Sequence, residues 1–333
     1  FGLSQCRTVG TEPPRQIIFP SMSPASGARA LLPLLCLGSA LHVPLHSESL
    51  PPMKVVGAGT DRRNCIAGAR PKKASTGGNA DIVGGTVCND PNKYPFLAWV
   101  GDKQGDFFSQ ICGGTLISER IVLTAGHCLY EDAEANRQLF IRLNVTDFAQ
   151  EEGILRSVVS WRRHSDYDRK NMHNDIALML LNASVPVEQV RPVRLSDGKG
   201  TFEKSGSKRI VGWGSTDDGC TAYDTQLREA EVPMGEYGEQ CQTPGSKVLD
   251  KKKEFNVERQ VCAGKYVKMD SEYPGCGDSG GPLLAEEDAD WVQMAIVSWS
   301  YGSPWPDVFT RVSAYRGWIE SSSQELAEEG ERH

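Results

Sequence analysis

Short apolar runs separated by turn-rich stretches fill the sequence from Ile82 onward. Several short strands spaced in this way are typical of a β-sandwich or a β-barrel. We therefore predict an all-β fold for this part of the chain. The runs span residues 96–100, 112–117, 121–125, 138–143, 176–181, 209–213 and 293–299.

The composition is that of a soluble globular protein, with 39% hydrophobic and 24% charged residues among 333. This length suffices for one large domain or two ordinary ones. The net charge of −7 and the lack of a basic run argue against nucleic acid as a partner. The sequence contains no metal-ligand cluster and no nucleotide-binding loop, so we expect neither a metal nor a cofactor.

The N-terminal part of the sequence has the character of a leader. Residues 1–21 precede the first methionine and are interpreted as upstream or non-native sequence. Residues 22–40 are predicted to be a secretory signal peptide, because Arg29 supplies a positive charge before the short apolar run 30–37 and small residues follow. That run is too short to cross a bilayer, so we predict no membrane span.

The remaining boundaries follow from composition. Residues 41–81 are rich in Pro, Gly, Ser, Ala and basic residues, which predicts a pro-segment before the folded domain at 82–323. Residues 324–333 are acidic and are expected to fray as a tail. Ten cysteines suit an oxidising compartment better than the cytosol, so we expect a secreted protein.

The segment Gly-Asp-Ser-Gly-Gly-Pro at 277–282 carries the most chemical information in the chain. Its serine, Ser279, lies between glycines, which allow the backbone to approach a substrate carbonyl closely. This arrangement indicates a nucleophile on a tight turn. A plain flexible turn is the alternative when the segment is considered alone.

A histidine and an aspartate lie in two further distinctive segments. His127 belongs to Leu-Thr-Ala-Gly-His-Cys at 123–128, and Asp175 stands directly before the apolar run 176–181. A serine hydroxyl becomes a good nucleophile only when a base takes its proton, and the base needs a third group to orient it. The chain order His127, Asp175, Ser279 is one of the known orders for such a triad.

These segments resemble the motifs of the chymotrypsin/trypsin family of serine endopeptidases, from Ile82 to about residue 321. The resemblance implies two antiparallel six-stranded β-barrels with the active site between them and a C-terminal helix. His127 and Asp175 would come from the first barrel and Ser279 from the second. The matching segments are 82–85, 124–128, 175–178, 212–214, 277–282, 297–299 and 309–312, followed by Trp318 and Ile319 at the start of the helix.

The resemblance also implies the chemistry. Ser279 would attack the scissile carbonyl of a polypeptide substrate, with His127 as general base and then general acid and Asp175 orienting the imidazole. The backbone N–H groups of Gly277 and Ser279 would form the oxyanion hole. We expect a monomeric endopeptidase that works without a cofactor. The alternative is an inactive homologue that serves as a binding or inhibitory module.

Family members are made as zymogens, which assigns roles to Ile82 and Asp278. Cleavage before Ile82 would free its amine to pair with the Asp278 carboxylate and order the oxyanion loop. The residue before the cleavage point is Asp81, where the family usually has Arg or Lys. Self-activation by a trypsin-like activity is therefore not expected, and a separate activating protease is expected as a partner.

The specificity pocket departs from the trypsin pattern. Pro274 stands where trypsin-like members have an aspartate, and Asp307 stands where glycine is usual at the pocket base. Asp307 in the pocket would attract Lys or Arg; alternatively, it bonds to neighbouring backbone and points elsewhere. Ser300 would narrow the entrance, which it lines together with Ser298 and Trp299. Basic or mixed basic and aromatic specificity is the leading expectation.

The cysteine pattern is also unusual, since an odd number, seven, follows Ile82. The family implies the disulfides Cys112–Cys128 and Cys241–Cys262. Cys88 lies at a familiar position, but Glu229 occupies the place of its usual partner, so Cys220 is predicted to substitute.

Cys276 is then left over, and it is either free or paired with Cys65 of the pro-segment. It directly precedes Gly277, whereas one residue usually intervenes, and Ser303 stands at its usual partner position. Two Asn-X-Ser/Thr sequences, at Asn144 and Asn182, predict glycosylation of a secreted protein.

Overall fold

The computed structural model describes residues 82–104, 107–129, 138–150, 153–204, 206–217, 219–234, 255–264, 272–300 and 306–332. The predicted leader, signal peptide and pro-segment, residues 1–81, lie outside the described residues. Across the part of the chain that is described, no helix is long and apolar enough to cross a membrane.

Six antiparallel strands form the first barrel, in the order β2-β3-β4-β7-β6-β5, and the ring closes because β5 pairs with β2. Their apolar side chains fill its interior. The strands are β2 (Leu97–Gln104), β3 (Phe107–Leu116), β4 (Ile121–Thr124), β5 (Leu139–Leu143), β6 (Ile154–Arg163) and β7 (Ala177–Leu181).

The second barrel is a ring of β10, β11, β14, β13, β12 and β9, closed by the pairing of β9 with β10. Two short strands extend it: β1 pairs with β10, and β8 runs parallel to β13. The strands are β1 (Thr86–Val87), β8 (Arg194–Leu195), β9 (Gly206–Gly212), β10 (Arg228–Met234), β11 (Gln260–Ala263), β12 (Pro282–Glu287), β13 (Asp290–Ser300) and β14 (Asp307–Arg311).

The chain ends in the helix α1 (Arg316–Glu331), which packs on β6 and β7 of the first barrel. Leu326 is fully buried in this contact, and Arg162 of β6 forms ion pairs with Glu325 (3.2 Å) and Glu329. The expectation that residues 324–333 fray is therefore wrong as far as Glu331, because an apolar side of the acidic segment is covered by the barrel.

The prediction of two six-stranded antiparallel barrels with a C-terminal helix is confirmed. The two barrels contact each other through strands that flank the triad candidates. The Gly113 N–H in β3 donates a 2.7 Å hydrogen bond to the carbonyl of Ser279, and Thr115 donates to Gln293 of β13 at 2.6 Å. The fold thus brings chain segments far apart in sequence to one crevice.

Candidate active site

His127 and Asp175 form a closely bonded pair. His127 lies in a short 3₁₀ helix, Gly126–Cys128, after β4, and Asp175 lies just before β7. The Asp175 carboxylate is fully buried, and its Oδ2 lies 2.8 Å from Nδ1 of His127 while Oδ1 accepts the His127 backbone N–H at 2.8 Å. A carboxylate partner keeps the proton on Nδ1, so Nε2 is left as the basic nitrogen.

Ser298 completes the environment of this carboxylate. Its hydroxyl donates a 2.5 Å hydrogen bond to Oδ2 of Asp175, and both side chains are buried. The sequence assigned Ser298 to the substrate pocket, and the structure adds a contact of its hydroxyl with Asp175 that this assignment did not foresee. Three donors therefore hold the two carboxylate oxygens in a fixed orientation.

The residue after Ser279, Gly280, lies where there is no room for a side chain. A Cβ on Gly280 would lie 2.3 Å from Thr124 Oγ1 and 2.6 Å from the Gly113 carbonyl, and its φ is +81°. The Ser279 carbonyl also lies 3.7 Å from the sulfur of Cys128, the neighbour of His127. Glycine is required here because the first barrel touches the backbone beside the serine.

The peptide groups before and after Gly277 are both fixed by hydrogen bonds. The Cys276 carbonyl accepts the Ser215 N–H at 2.7 Å, and Gln110 Nε2 donates to the Gly277 carbonyl at 3.0 Å. Gly277 itself has a φ of +98°, which side chains rarely adopt. Sequence reasoning missed Gln110 and Ser215, because neither lies in a recognisable motif.

Asp278 lies in a backbone cradle behind this loop. Its carboxylate accepts hydrogen bonds from the N–H groups of Gly214 and Gly275, each at 2.8 Å. A Cβ on Gly212 or Gly214 would lie within 2.3 Å of the carboxylate oxygens, so both glycines are needed for its approach. Burial raises the pKa of Asp278 to about 6, against the effect of those two hydrogen bonds.

Ile82, the proposed partner of Asp278 after cleavage, is buried in the core of the second barrel. The following residue, Val83, forms an isolated bridge with Tyr273, which lies shortly before Gly277 in the sequence. Ile82 has a φ of +34°, a strained value for a β-branched residue.

Asp307 and Ser300 lie opposite each other on β14 and β13. Asp307 is buried, which raises its pKa to about 7, and a side-chain hydrogen bond with Ser300 opposes this rise. Trp299 is also buried and packs with Met172, while Pro274 is half-buried. The carboxylate therefore has a hydroxyl partner in the wall that was predicted to line the pocket.

The disulfide pattern corrects one prediction. Cys112 bonds to Cys128, beside His127, whereas Cys220 bonds to Cys276. The pairing of Cys88 with Cys220 is therefore wrong, and Cys276 is neither free nor available to Cys65. The reason is the path of the loop after β9, where Asp217 accepts backbone N–H bonds that fold residues 219–222 back toward Cys276.

Cys88 is a buried free cysteine, and the pairing of β1 with β10 places it beside Leu227. At the position of its usual partner, Glu229 accepts hydrogen bonds from Lys93 at 2.7 Å and from the Tyr94 hydroxyl at 2.6 Å. Burial alone would raise the pKa of Glu229, but these bonds outweigh it and lower that pKa. Hydrogen bonds among Lys93, Tyr94 and Glu229 thus occupy the place of the disulfide that a cysteine at position 229 would form with Cys88.

The structure describes part of the predicted Cys241–Cys262 disulfide and both predicted glycosylation sites. Cys262 is disulfide-bonded, and its expected partner, Cys241, lies outside the described residues. The glycosylation candidates Asn144 and Asn182 are both exposed, and Asn182 Oδ1 accepts the Ser157 N–H at 3.1 Å.

One group of potential metal ligands occurs within the described ranges: Cys112, His127 and Cys128. The two sulfurs are bonded to each other, so neither is the thiolate that metal binding requires.

Comparisons with known proteins agree with this geometry. The family model described as Trypsin matches residues 82–319. The chain is 30% identical over 254 residues to a trypsin of Phaedon cochleariae, covering 75% of this chain and 91% of the relative. It is 32% identical over 266 residues to phenoloxidase-activating factor 1 of Holotrichia diomphalia, covering 70% and 67%. It is 31% identical over 247 residues to a tryptase of Mus musculus, covering 72% and 87%. The chain therefore belongs to the trypsin family of serine-type endopeptidases.

Proposed function

We propose that this protein hydrolyses peptide bonds of polypeptides by forming an acyl-enzyme on Ser279, with His127 and Asp175 as the other members of the triad. The observation that carries the proposal is the buried Asp175 carboxylate, which accepts both the ring and the backbone N–H of His127. Such an arrangement fixes the tautomer in which Nε2 is free to take a proton.

The reaction then follows from the positions of the basic and acidic groups. Ser279 Oγ attacks the scissile carbonyl carbon as its proton moves to Nε2 of His127, and the buried Asp175 stabilises the resulting imidazolium. Collapse of the tetrahedral intermediate breaks the C–N bond while the imidazolium gives its proton to the leaving amine. Water then gives a proton to the same nitrogen as it attacks the ester carbon, and the bond to Ser279 Oγ breaks as that proton returns to the serine, which releases the carboxylic acid.

The negative oxygen of the intermediate is assigned to the N–H groups of Gly277 and Ser279. The Ser215 and Gln110 hydrogen bonds support this assignment, because they fix the peptide groups on either side of Gly277 before substrate binds. Each well-placed donor of this kind typically contributes about 3 kcal/mol of transition-state stabilisation.

The protein is further proposed to be a secreted zymogen that a separate protease cleaves between Asp81 and Ile82. Asp278 supports this proposal: its carboxylate is buried, it accepts hydrogen bonds from the backbone amides of Gly214 and Gly275, and burial raises its pKa because the charged form is disfavoured there. The amine released at Ile82 would supply that charge. The disulfides and the predicted signal peptide at 22–40 support secretion.

For specificity, we propose Lys or Arg, or a mixture of basic and aromatic residues, before the scissile bond. The buried Asp307 carboxylate next to Ser300 supports this preference, because a cationic side chain would compensate its charge.

An active-site label tests the proposed function. An Asp81→Arg chain cut with immobilised trypsin is treated with a fluorophosphonate probe, which reacts with an activated serine. We expect Ser279 to be labelled, and we expect Ser279→Ala and His127→Ala to remain unlabelled. If the correctly cut chain does not react, the proposed chemistry is wrong and the binding-module alternative is favoured.

A further inference from the structure

The residue before Asp175 has an unusual backbone conformation and a side chain that is hydrogen-bonded through both its oxygen and its nitrogen. Asn174 is buried, with a φ of +54°. Its Oδ1 accepts hydrogen bonds from Nη1 of Arg259 and, at 2.9 Å, from the Tyr315 hydroxyl, while its Nδ2 donates to the Asp166 carbonyl at 2.7 Å. We refer to Asn174, Arg259 and Tyr315 together as the Asn174 clamp.

The clamp joins the first barrel to the second. Asn174 leads into β7, whereas Arg259 directly precedes β11 and Tyr315 follows β14. Arg259 and Tyr315, both from the second half of the chain, donate to the same oxygen, Oδ1 of Asn174. They thereby hold the segment that carries Asp175.

Neighbouring residues of the second barrel hold the same segment by its backbone. Gln260 Nε2 donates to the Met172 carbonyl at 3.1 Å, and Thr310 Oγ1 donates to the Asp175 carbonyl at 2.9 Å. The backbone of the segment 172–175 is thus attached to the second barrel at its first and last residues, in addition to the bonds made by the Asp175 carboxylate.

We propose that Arg259 is a positioning residue for catalysis, which acts through the Asn174 carboxamide to hold Asp175 in the orientation that His127 requires. This inference rests on the proposed triad. A guanidinium donor forms a stronger hydrogen bond than a neutral one, and Arg259 is itself exposed, so its charge reaches a buried acceptor without full desolvation. A small displacement of a catalytic group lowers the rate of the chemical step more than it lowers substrate affinity.

The first test is kinetic and uses the cut Asp81→Arg enzyme. Arg259→Gln should lower kcat about tenfold with KM and Tm little changed, and Arg259→Lys, which keeps a cationic donor, should recover most of the loss. Tyr315→Phe, which removes the other donor and keeps the ring, should act in the same direction. Arg191→Gln is the matched control, because Arg191 is an exposed arginine that pairs with Asp290 on the surface.

The second test asks whether Arg259 acts through Asp175. In an Asp175→Asn background, Arg259→Gln should cause no further loss in the rate of fluorophosphonate labelling of Ser279, because residues that act as a unit are non-additive. An unchanged kcat for Arg259→Gln, or a full additional loss in that background, overturns the inference while leaving the triad intact. If Asp175→Asn alone has no effect, the triad is wrong as well, so the two failures are distinguishable.

Discussion

The backbone N–H of Ser215 donates a 2.7 Å hydrogen bond to the carbonyl oxygen of Cys276. The C=O and N–H of a trans peptide group point in opposite directions, so this bond directs the Gly277 N–H away from the Ser215 loop. The Cys220–Cys276 disulfide ties the same two loops together covalently. Cys276 is therefore part of what orients the proposed oxyanion loop.

Removal of this disulfide should impair the chemical step. We expect the double variant Cys220→Ser/Cys276→Ser to lose about tenfold in kcat, because one oxyanion donor is then less well placed. It should also bind a peptide aldehyde less tightly, since the hemiacetal oxygen occupies the same hole. Cys88→Ser, which changes a free cysteine, is the control in both assays. A double variant with unchanged kcat and aldehyde affinity would show that the disulfide does not orient the loop.

The specificity of the enzyme should depend on pH through Asp307. Burial raises the pKa of this carboxyl group to about 7, so most of the groups are protonated at pH 6 and most are ionised at pH 8. The ratio of kcat/KM for an Arg substrate to that for a Phe substrate should therefore rise severalfold between these values. Effects of pH on the chemical step that the two substrates share cancel in the ratio. Asp307→Asn should lower the ratio and make it independent of pH; a ratio that this substitution leaves unchanged would exclude Asp307 from the pocket.

Activation should require both a new N-terminus at Ile82 and the Asp278 carboxylate. An Asp81→Arg chain cut by immobilised trypsin should begin at Ile82 on Edman sequencing and gain esterase activity. Asp81→Arg/Asp278→Asn should be cut at the same bond and stay inactive, because the buried amine then has no counter-charge. Full activity of the cut double variant, or an active form that starts elsewhere, contradicts the proposed switch.

The uncut chain should lose stability as pH rises through the titration range of Asp278. An unfolded aspartate ionises near pH 3.8, whereas burial keeps Asp278 protonated up to about pH 6 in the folded chain. Between these values the folded state binds more protons, so the free energy of unfolding falls as pH increases, by roughly 3 kcal/mol in total for this group.

The measurement is the Tm of uncut Ser279→Ala from pH 4 to pH 8, compared with Ser279→Ala/Asp278→Asn. The difference between the two Tm values isolates Asp278 from the other carboxyl groups, and the double variant should show the shallower decline with pH. Equal pH dependence in both chains would mean that Asp278 is not a source of instability before cleavage.

The C-terminal helix should contribute to the stability of the first barrel. Leu326 is fully buried against it, so Leu326→Ala should lower the free energy of unfolding by about 3 kcal/mol. Glu328→Ala, an exposed change in the same turn, should have little effect. The comparison is made by urea denaturation at pH 7, and equal midpoints for the two variants would argue that α1 is frayed in solution.

The barrels were predictable because each strand carries its own apolar pattern. The glycine after Ser279 was predictable because a side chain at Gly280 would collide with Thr124 and the Gly113 carbonyl, so the sequence motif reflects a close contact between the barrels. The C-terminal helix was underestimated: its acidic composition conceals Ile319, Ser322 and Leu326, whose spacing is that of one buried helical face.

Contacts that depend on the path of a loop were not predictable. The Cys220–Cys276 bond follows from hydrogen bonds that Asp217 makes within its own loop, and spacing along the chain does not encode that path. Arg259 reaches Asn174 across 85 residues of sequence, and a lone arginine in a turn has no feature that distinguishes it from any solvated charge.

The hydrogen bonds from Thr310 and Ser298 to Asp175 cross from the second barrel to an acid that belongs to the first. A slight parting of the barrels would therefore disturb the aspartate long before either ring of strands came apart. The catalytic rate should therefore fall at denaturant concentrations where circular dichroism still shows intact sheets. If Asp175 acts as proposed, only molecules whose two barrels are fully packed together should turn over substrate.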